Sequence, residues 1–268
     1  MDVRRPRLYA FVDRFSEVTR IPPIFQACRR SAAARRGTAP SQALRETGTG
    51  VIPAARVIEM RRRGVRDVTW QPPALAREER WTAIDQRGAT VLLTGLPASG
   101  KSTIARALER RLVDTGQSAY VLDGDNIRHG LSDDLGFSPG DRAEHIRRVG
   151  HVALLMADSG TVALLSLISP MAAHRAHLRG VHEHADLPFV EVFVDTPVEE
   201  CERRDPKGLY ARARAGQIKH FTGVDAPYEP PEHPELRVDT AITGVRQAVA
   251  QIIEILRPAQ GSRKRGPQ

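Results

Sequence analysis

Thr90-Val91-Leu92-Leu93-Thr94-Gly95-Leu96-Pro97-Ala98-Ser99-Gly100-Lys101-Ser102-Thr103 is the stretch that decides how this chain folds. An apolar run, Val91 to Leu93, reads as a strand that enters a loop of Gly, four residues, then Gly-Lys-Ser. This is the phosphate-loop spacing. The residues after it, Thr103-Ile-Ala-Arg-Ala-Leu-Glu-Arg-Arg-Leu, continue with helical periodicity. A loop that wraps a polyphosphate must turn its backbone N–H groups inward, and Gly95 and Gly100 permit the dihedrals and the close approach. The helix starting near Lys101 adds the positive end of its dipole. Gly95 to Thr103 are therefore the expected ATP-binding residues, with Lys101 reaching the β- and γ-phosphates and the Ser102 hydroxyl on Mg²⁺.

The 268 residues are 41% hydrophobic, enough to bury an α/β core with an appendage left over. The net charge of +8 suggests nucleic acid until it is located along the chain. Residues 1–70 hold 15 Arg against 6 Asp or Glu, and the last eight add 3 more basic residues. The stretch 71–260 holds 22 Lys or Arg against 26 acidic residues, so the body is mildly acidic. Arg clusters alone specify no partner, and we expect neither a nucleic-acid nor a membrane role. Two cysteines, Cys28 and Cys201, make no disulfide framework and suit a reducing compartment. The longest apolar run is roughly Val162 to Ile168, short of a membrane span, and no signal-peptide core follows Met1. A cytoplasmic protein is expected.

Residues 1–66 read as an Arg-rich extension or linker, poorly ordered, with Gly, Thr and Ser collected at 37–50. Residues 67–258 read as the folded domain and 259–268 as a basic tail. Helices are expected near 55–63 and 73–85, with Trp70 and Trp81 packing the second against the body. From residue 89 strands are expected near 90–94, 118–122, 161–167, 190–195 and 236–240. Helices are expected near 101–115, 141–159, 171–180, 197–204, 207–215 and 243–256. Such alternation implies a parallel sheet with helices on both faces, the P-loop NTPase fold, and ligands at the carboxyl ends of the strands.

The second strand ends in Leu122-Asp123-Gly124-Asp125-Asn126-Ile127-Arg128. Two carboxylates just past a strand stand on the same rim as the phosphate loop. One can orient or deprotonate an attacking hydroxyl while the other helps hold Mg²⁺ through water. An Asx turn capping the next helix is the competing structural reading for either one alone.

Leu135-Gly-Phe137-Ser138-Pro-Gly-Asp-Arg142 comes next, then Leu167-Ile168-Ser169-Pro170, Glu191-Val-Phe-Val-Asp-Thr-Pro, and Arg204-Asp-Pro-Lys207-Gly208-Leu209-Tyr210 leading into Phe221-Thr222-Gly223-Val-Asp225-Ala-Pro227-Tyr228-Glu229. Together with the phosphate loop and the Asp-Gly-Asp turn, this resembles adenylylsulfate kinase (APS kinase) over roughly 67–257. The resemblance implies transfer of the γ-phosphoryl of MgATP to the 3′-hydroxyl of adenosine 5′-phosphosulfate (APS), giving 3′-phosphoadenosine 5′-phosphosulfate (PAPS) and ADP.

By the same resemblance Arg128 and Arg142 hold the phosphosulfate, a task for which guanidinium forks are suited. Phe137 and Phe221 sandwich the adenine, and Lys207 through Asp225 form a mobile lid, with Lys207, Leu209 and Ile168 on the substrate side. Arg203 or Arg204 touches the ATP base. The expected catalytic set is Lys101, Asp123, Asp125 and Ser169, with Ser102 and Asp125 at the metal. Ser169 stands where the family marks a phosphorylated intermediate, but direct in-line transfer needs only positioning and charge neutralisation. A hydrogen-bonding role near the substrate is therefore expected of it.

The chain departs from the family at His145, usually Asn and a substrate contact, so altered affinity is expected. Met171 replaces an aromatic residue, and His151 and Leu154 replace charged ones. His174, His177, His182 and His184 lack a metal-ligand pattern and read as a solvated helix and loop. Relatives of this kind are commonly homodimers, and some are fused behind a GTPase subunit of ATP sulfurylase, so association with ATP sulfurylase is a further expectation. The competing functions are another small-molecule kinase of this fold, or a catalytically weak nucleotide-binding regulatory subunit.

Overall fold

The computed structural model describes residue 71 and residues 73–260. The expectations for 1–66, which include the helix at 55–63 and Cys28, lie outside the described residues, as do Trp70 and the tail beyond 260.

Strands β1 (Ala89–Thr94), β2 (Ala119–Asp123), β3 (Val162–Ser166), β4 (Phe189–Val194) and β5 (Leu236–Val238) form one sheet in the order β2-β3-β1-β4-β5, every pair parallel. The three inner strands are buried at every position. Parallel strands covered on both faces have no solvent side, which is why Val91 to Leu93 and Val162 to Leu165 read as unbroken apolar runs rather than as alternation.

Alternation within β1 sorts the two layers. Val91 and Leu93 pack with Ile104 and Leu108 of α2 (Lys101–Asp114) and Ile252 of α8 (Val245–Gln260). Leu92 packs with Ile146 and Val149 of α4 (Pro139–Ser159) and Leu178 of α5 (Ala172–His184). Helices thus cover both faces, as the alternation predicts. Each fully buried leucine contributes about 1.5–3 kcal/mol.

The helix ends have local causes. Helix α4 starts with a capping box, Ser138 with Asp141 and Pro139 at its first position, and stops at Gly160 in the left-handed region, φ 103°. Its last turn receives α1 (Arg77–Ala83): Arg77 and Arg80 pair with Asp158 at 2.7 and 2.8 Å, and Trp81 Nε1 donates to the Asp158 carbonyl at 3.0 Å. Trp81 therefore packs the helix to the body as expected. Just before β2, Gln86 exchanges two hydrogen bonds with the backbone of Ser118, at 2.7 and 2.8 Å, and the Ser118 carbonyl also accepts the Val162 N–H of β3 at 2.9 Å. The Glu109 carboxylate accepts the Val121 N–H at 2.8 Å.

Two expectations need correction. Helix α5 runs to His184, past 180, because Arg175, Leu178 and His182 make a buried stripe at helical spacing. His182 is consequently not solvated. It is fully buried, 2.8 Å from the Leu178 carbonyl through Nδ1 and 2.9 Å from Thr90 Oγ1 through Nε2. A carbonyl only accepts, so Nδ1 carries the proton and Nε2 accepts from Thr90. Burial pushes the His182 pKa down, in keeping with this neutral form.

Candidate active site

Strand register brings the chemistry to one rim. Asp123 of β2 lies beside Ser166 of β3, Ser166 beside Leu93 of β1, and Thr94 beside Phe193 of β4. The phosphate loop leaves β1 at this rim. Gly95 has φ 146°, and a Cβ there would lie 2.4 Å from the Val194 carbonyl oxygen, so the close approach to β4 requires glycine. Gly100, φ 102°, ends the loop and opens α2. The Ser99 carbonyl is held by the hydroxyls of Thr196 at 3.0 Å and Thr240 at 2.8 Å.

Lys101 is buried, and its ammonium donates to the Leu96 carbonyl at 2.6 Å. Burial lowers its pKa to about 8. Ser102 Oγ donates to Asp123 Oδ2 at 2.7 Å and lies 3.0 Å from Ser166 Oγ. The other Asp123 oxygen accepts the Asp125 N–H at 3.1 Å, capping the short helix α3 (Gly124–Ile127), an element absent from the expected helices. Asp123 thus serves both as the cap and as the partner of the phosphate-loop serine. Asp125 is exposed and pairs with Lys207, whose pKa that bond raises.

Arg128 and Arg142 come together on Phe137, their guanidinium carbons 4.5 and 5.9 Å from the ring centre. Arg128 donates to the Gly136 carbonyl, and Arg142 to those of Phe137 and His220, at 2.9, 2.9 and 2.8 Å. The Phe137 ring remains 65% exposed. Phe221 is buried instead, edge-on to Tyr210 at 5.0 Å. Tyr210 belongs to α7 (Leu209–Arg214), which Asp205 caps through the N–H groups of Leu209 and Tyr210. Ser169 is buried with φ 42° and no partner for Oγ.

One cavity of about 940 Å³ takes in Pro97, Ala98 and Gly100 to Thr103 of the loop, the two carboxylates Asp123 and Asp125, and Ser169. The eight expected substrate residues, Arg128, Phe137, Arg142, His145, Ile168, Lys207, Leu209 and Phe221, line it as well. Gly95, Leu96 and Ser99 are not on its wall. Between the two arginines offered for the ATP base, Arg204 of α6 (Val198–Arg204) lines the cavity, whereas Arg203 does not and pairs with Glu200. Arg204 donates to the Thr240 hydroxyl at 2.7 Å and carbonyl at 3.0 Å. Sequence reasoning missed Thr196 and Thr240, for no local motif marks a threonine 141 positions from the carbonyl it caps.

His145 is buried with no partner for Nδ1. Burial first, and then the Arg128 charge with a smaller one from Arg148, lower its pKa from 6.5 to about 4, against the pull of Asp125. Below pH 6.5 the unfolded chain gains a proton that the folded chain refuses, so stability falls as pH drops toward about 4. His145→Asn is expected to lessen this loss, measured as the fall in thermal midpoint between pH 7.5 and 4.5. An identical fall in both proteins would show that His145 does not carry it.

A parallel sheet with a phosphate loop, its lysine and serine, and facing carboxylates in a single cavity defines a phosphate-loop kinase. A family model described as adenylylsulphate kinase matches residues 87–239. The chain belongs to the adenylylsulfate kinase family. It is 53% identical over 188 residues to adenylyl-sulfate kinase of Emericella nidulans, covering 68% of this chain and 91% of that one. It is 52% identical over 209 residues to the bifunctional enzyme CysN/CysC of Mycobacterium tuberculosis, covering 76% of this chain and 33% of that one, so it spans about a third of that relative's length. The solved structure of the M. tuberculosis APS kinase CysC in complex with AMPPNP and APS is 56% identical, with a TM-score of 0.62, and the match covers 64% of this chain and 98% of that one.

Proposed function

We infer that the chain is an adenylylsulfate kinase, moving the γ-phosphoryl of ATP to the 3′-hydroxyl of APS to give PAPS and ADP in sulfate assimilation. The observation that carries this is the opening of the phosphate loop and the Arg128–Phe137–Arg142 platform into one cavity.

The residues divide the work. Lys101 neutralises the β- and γ-phosphates, as its buried ammonium is already held inside the loop. Ser102, Asp123 and Asp125 offer only oxygen donors, the hard set that Mg²⁺ takes alongside nucleotide phosphates. Bound there, Mg²⁺ would neutralise charge on the transferring group. Asp125, exposed at the rim, orients the attacking hydroxyl and accepts its proton. Arg128 and Arg142 meet the phosphosulfate, Phe137 and Phe221 the adenine, and His145, Ile168, Lys207 and Leu209 complete the wall. Ser169 donates its hydroxyl to substrate. Residues 207–225 act as a lid that excludes water.

We place residues 67–258 as the kinase domain, working as a homodimer in the cytoplasm. Association with ATP sulfurylase belongs to the same reading, and the match to a bifunctional relative supports a linked second activity. Among the described residues no helix is long and apolar enough to cross a membrane. ADP release with APS as acceptor tests the function, with AMP, shikimate and gluconate as controls. Release that depends on APS is expected. Turnover on a control alone would assign a different small-molecule kinase, and binding without turnover a regulatory subunit.

A further inference from the structure

One buried guanidinium, that of Arg175 on α5, joins two stretches far apart in sequence. Its Nη1 donates to the Ser169 carbonyl at 2.9 Å and its Nη2 to the Glu229 carbonyl at 2.7 Å, while Nε pairs with Glu191 of β4 at 2.8 Å. Ser169 is in the loop after β3 that walls the cavity, and Glu229 lies just beyond the lid segment, after Ala226-Pro227-Tyr228. A residue with a Cβ is strained at the φ of 42° found at Ser169, and such a conformation persists only where its surroundings fix it.

The surroundings do so from several sides. The Glu229 N–H donates to the Pro170 carbonyl at 2.9 Å, and its carboxylate accepts the Ala172 N–H at 2.7 Å, capping α5. The Thr94 hydroxyl gives its proton to the Ile168 carbonyl at 2.6 Å, so the Tyr228 hydroxyl, 2.9 Å away, is the donor to Thr94. The Tyr228 ring stacks on Phe193, and the Arg175 guanidinium lies 5.7 Å from its centre. A buried cation needs a counter-charge and hydrogen-bond partners. Here the planar fork spans a carboxylate and two carbonyls, a geometry that a lysine ammonium cannot reproduce.

We propose that Arg175 is a positioning residue: by holding the Ser169 and Glu229 carbonyls on one guanidinium, it fixes the acceptor-side wall of the cavity relative to the end of the lid. The inference rests on the kinase reading above and on residues 207–225 as its lid. Arg175 itself does not line the cavity, so it acts through the loop it holds.

The test is Arg175→Lys in the full chain, which keeps the charge beside Glu191 but cannot span both carbonyls. KM for APS is expected to rise about tenfold, since a displacement of about 1 Å can cost up to 10²-fold. KM for ATP should stay within about twofold, because the phosphate loop is held by Thr196 and Thr240 instead. A purely structural role would move both constants together or neither, and either result overturns the proposal. Cleavage by trypsin after Lys207, Arg212, Arg214 or Lys219, without substrates, gives a readout free of turnover and is expected to accelerate. If the unsubstituted chain shows no APS-dependent turnover, the proposed function fails. The clamp then stands on faster cleavage in Arg175→Lys and falls on unchanged cleavage. Should that variant not fold, Tyr228→Phe removes one hydroxyl and keeps the ring. It is expected to raise KM for APS selectively to a smaller extent, and an unchanged KM would overturn the proposal.

Discussion

Lys101→Met is expected to lower turnover by at least 10²–10³-fold, about 3–4 kcal/mol of lost transition-state stabilisation, with little change in thermal midpoint. The two halves of this result have separate causes. In the folded chain the ammonium is buried and its pKa depressed to about 8, so carrying its charge at neutral pH opposes folding, and removing it relieves that cost. The methionine keeps the alkyl stem that fills the loop, and the Leu96 carbonyl loses one donor. Turnover, in contrast, depends on a cation where charge gathers on the transferring phosphoryl. A variant that folds and turns over near the normal rate would remove the phosphate-loop assignment altogether.

Asp125→Asn should lower kcat by about 10²–10⁴-fold while leaving nucleotide binding largely intact. The carboxylate is exposed and its pair with Lys207 is a surface one, worth about 0–1 kcal/mol, so stability should scarcely change. Asp123 cannot be tested in the same way, for it caps α3 and accepts the Ser102 hydroxyl, and its loss would disturb the rim itself. Rapid-mixing kinetics and nucleotide titration together check the expectation. Equal loss of affinity and turnover would move Asp125 from the acceptor hydroxyl to the phosphates.

Much of this was legible in the sequence because burial leaves a direct trace there. Strands covered on both faces are predominantly apolar, and a loop around phosphates must carry glycine at fixed places. The five strands and the phosphate loop are accordingly where the sequence reading put them. His182 was misplaced because its partner, Thr90, belongs to a strand 92 positions earlier, and only the folded chain shows that its ring nitrogens are satisfied. Helix α3 was missed since four residues hold too little periodicity to register. Arg175 had no signal either: its partners are mostly backbone carbonyls, which any residue supplies.

The outer margin of β2 carries a consequence beyond catalysis. A strand at the border of a sheet offers free N–H and C=O groups to any extended chain that passes, and proteins that leave them bare tend to stick to one another. The Ser118 carbonyl, which Gln86 also binds, accepts the Val162 N–H and so faces β3, whereas on the outward side Glu109 claims the Val121 N–H with a negative charge. The exposed Tyr120 therefore stands on a border where the Glu109 side chain has claimed the Val121 N–H, and an incoming strand would have to displace a carboxylate to pair there.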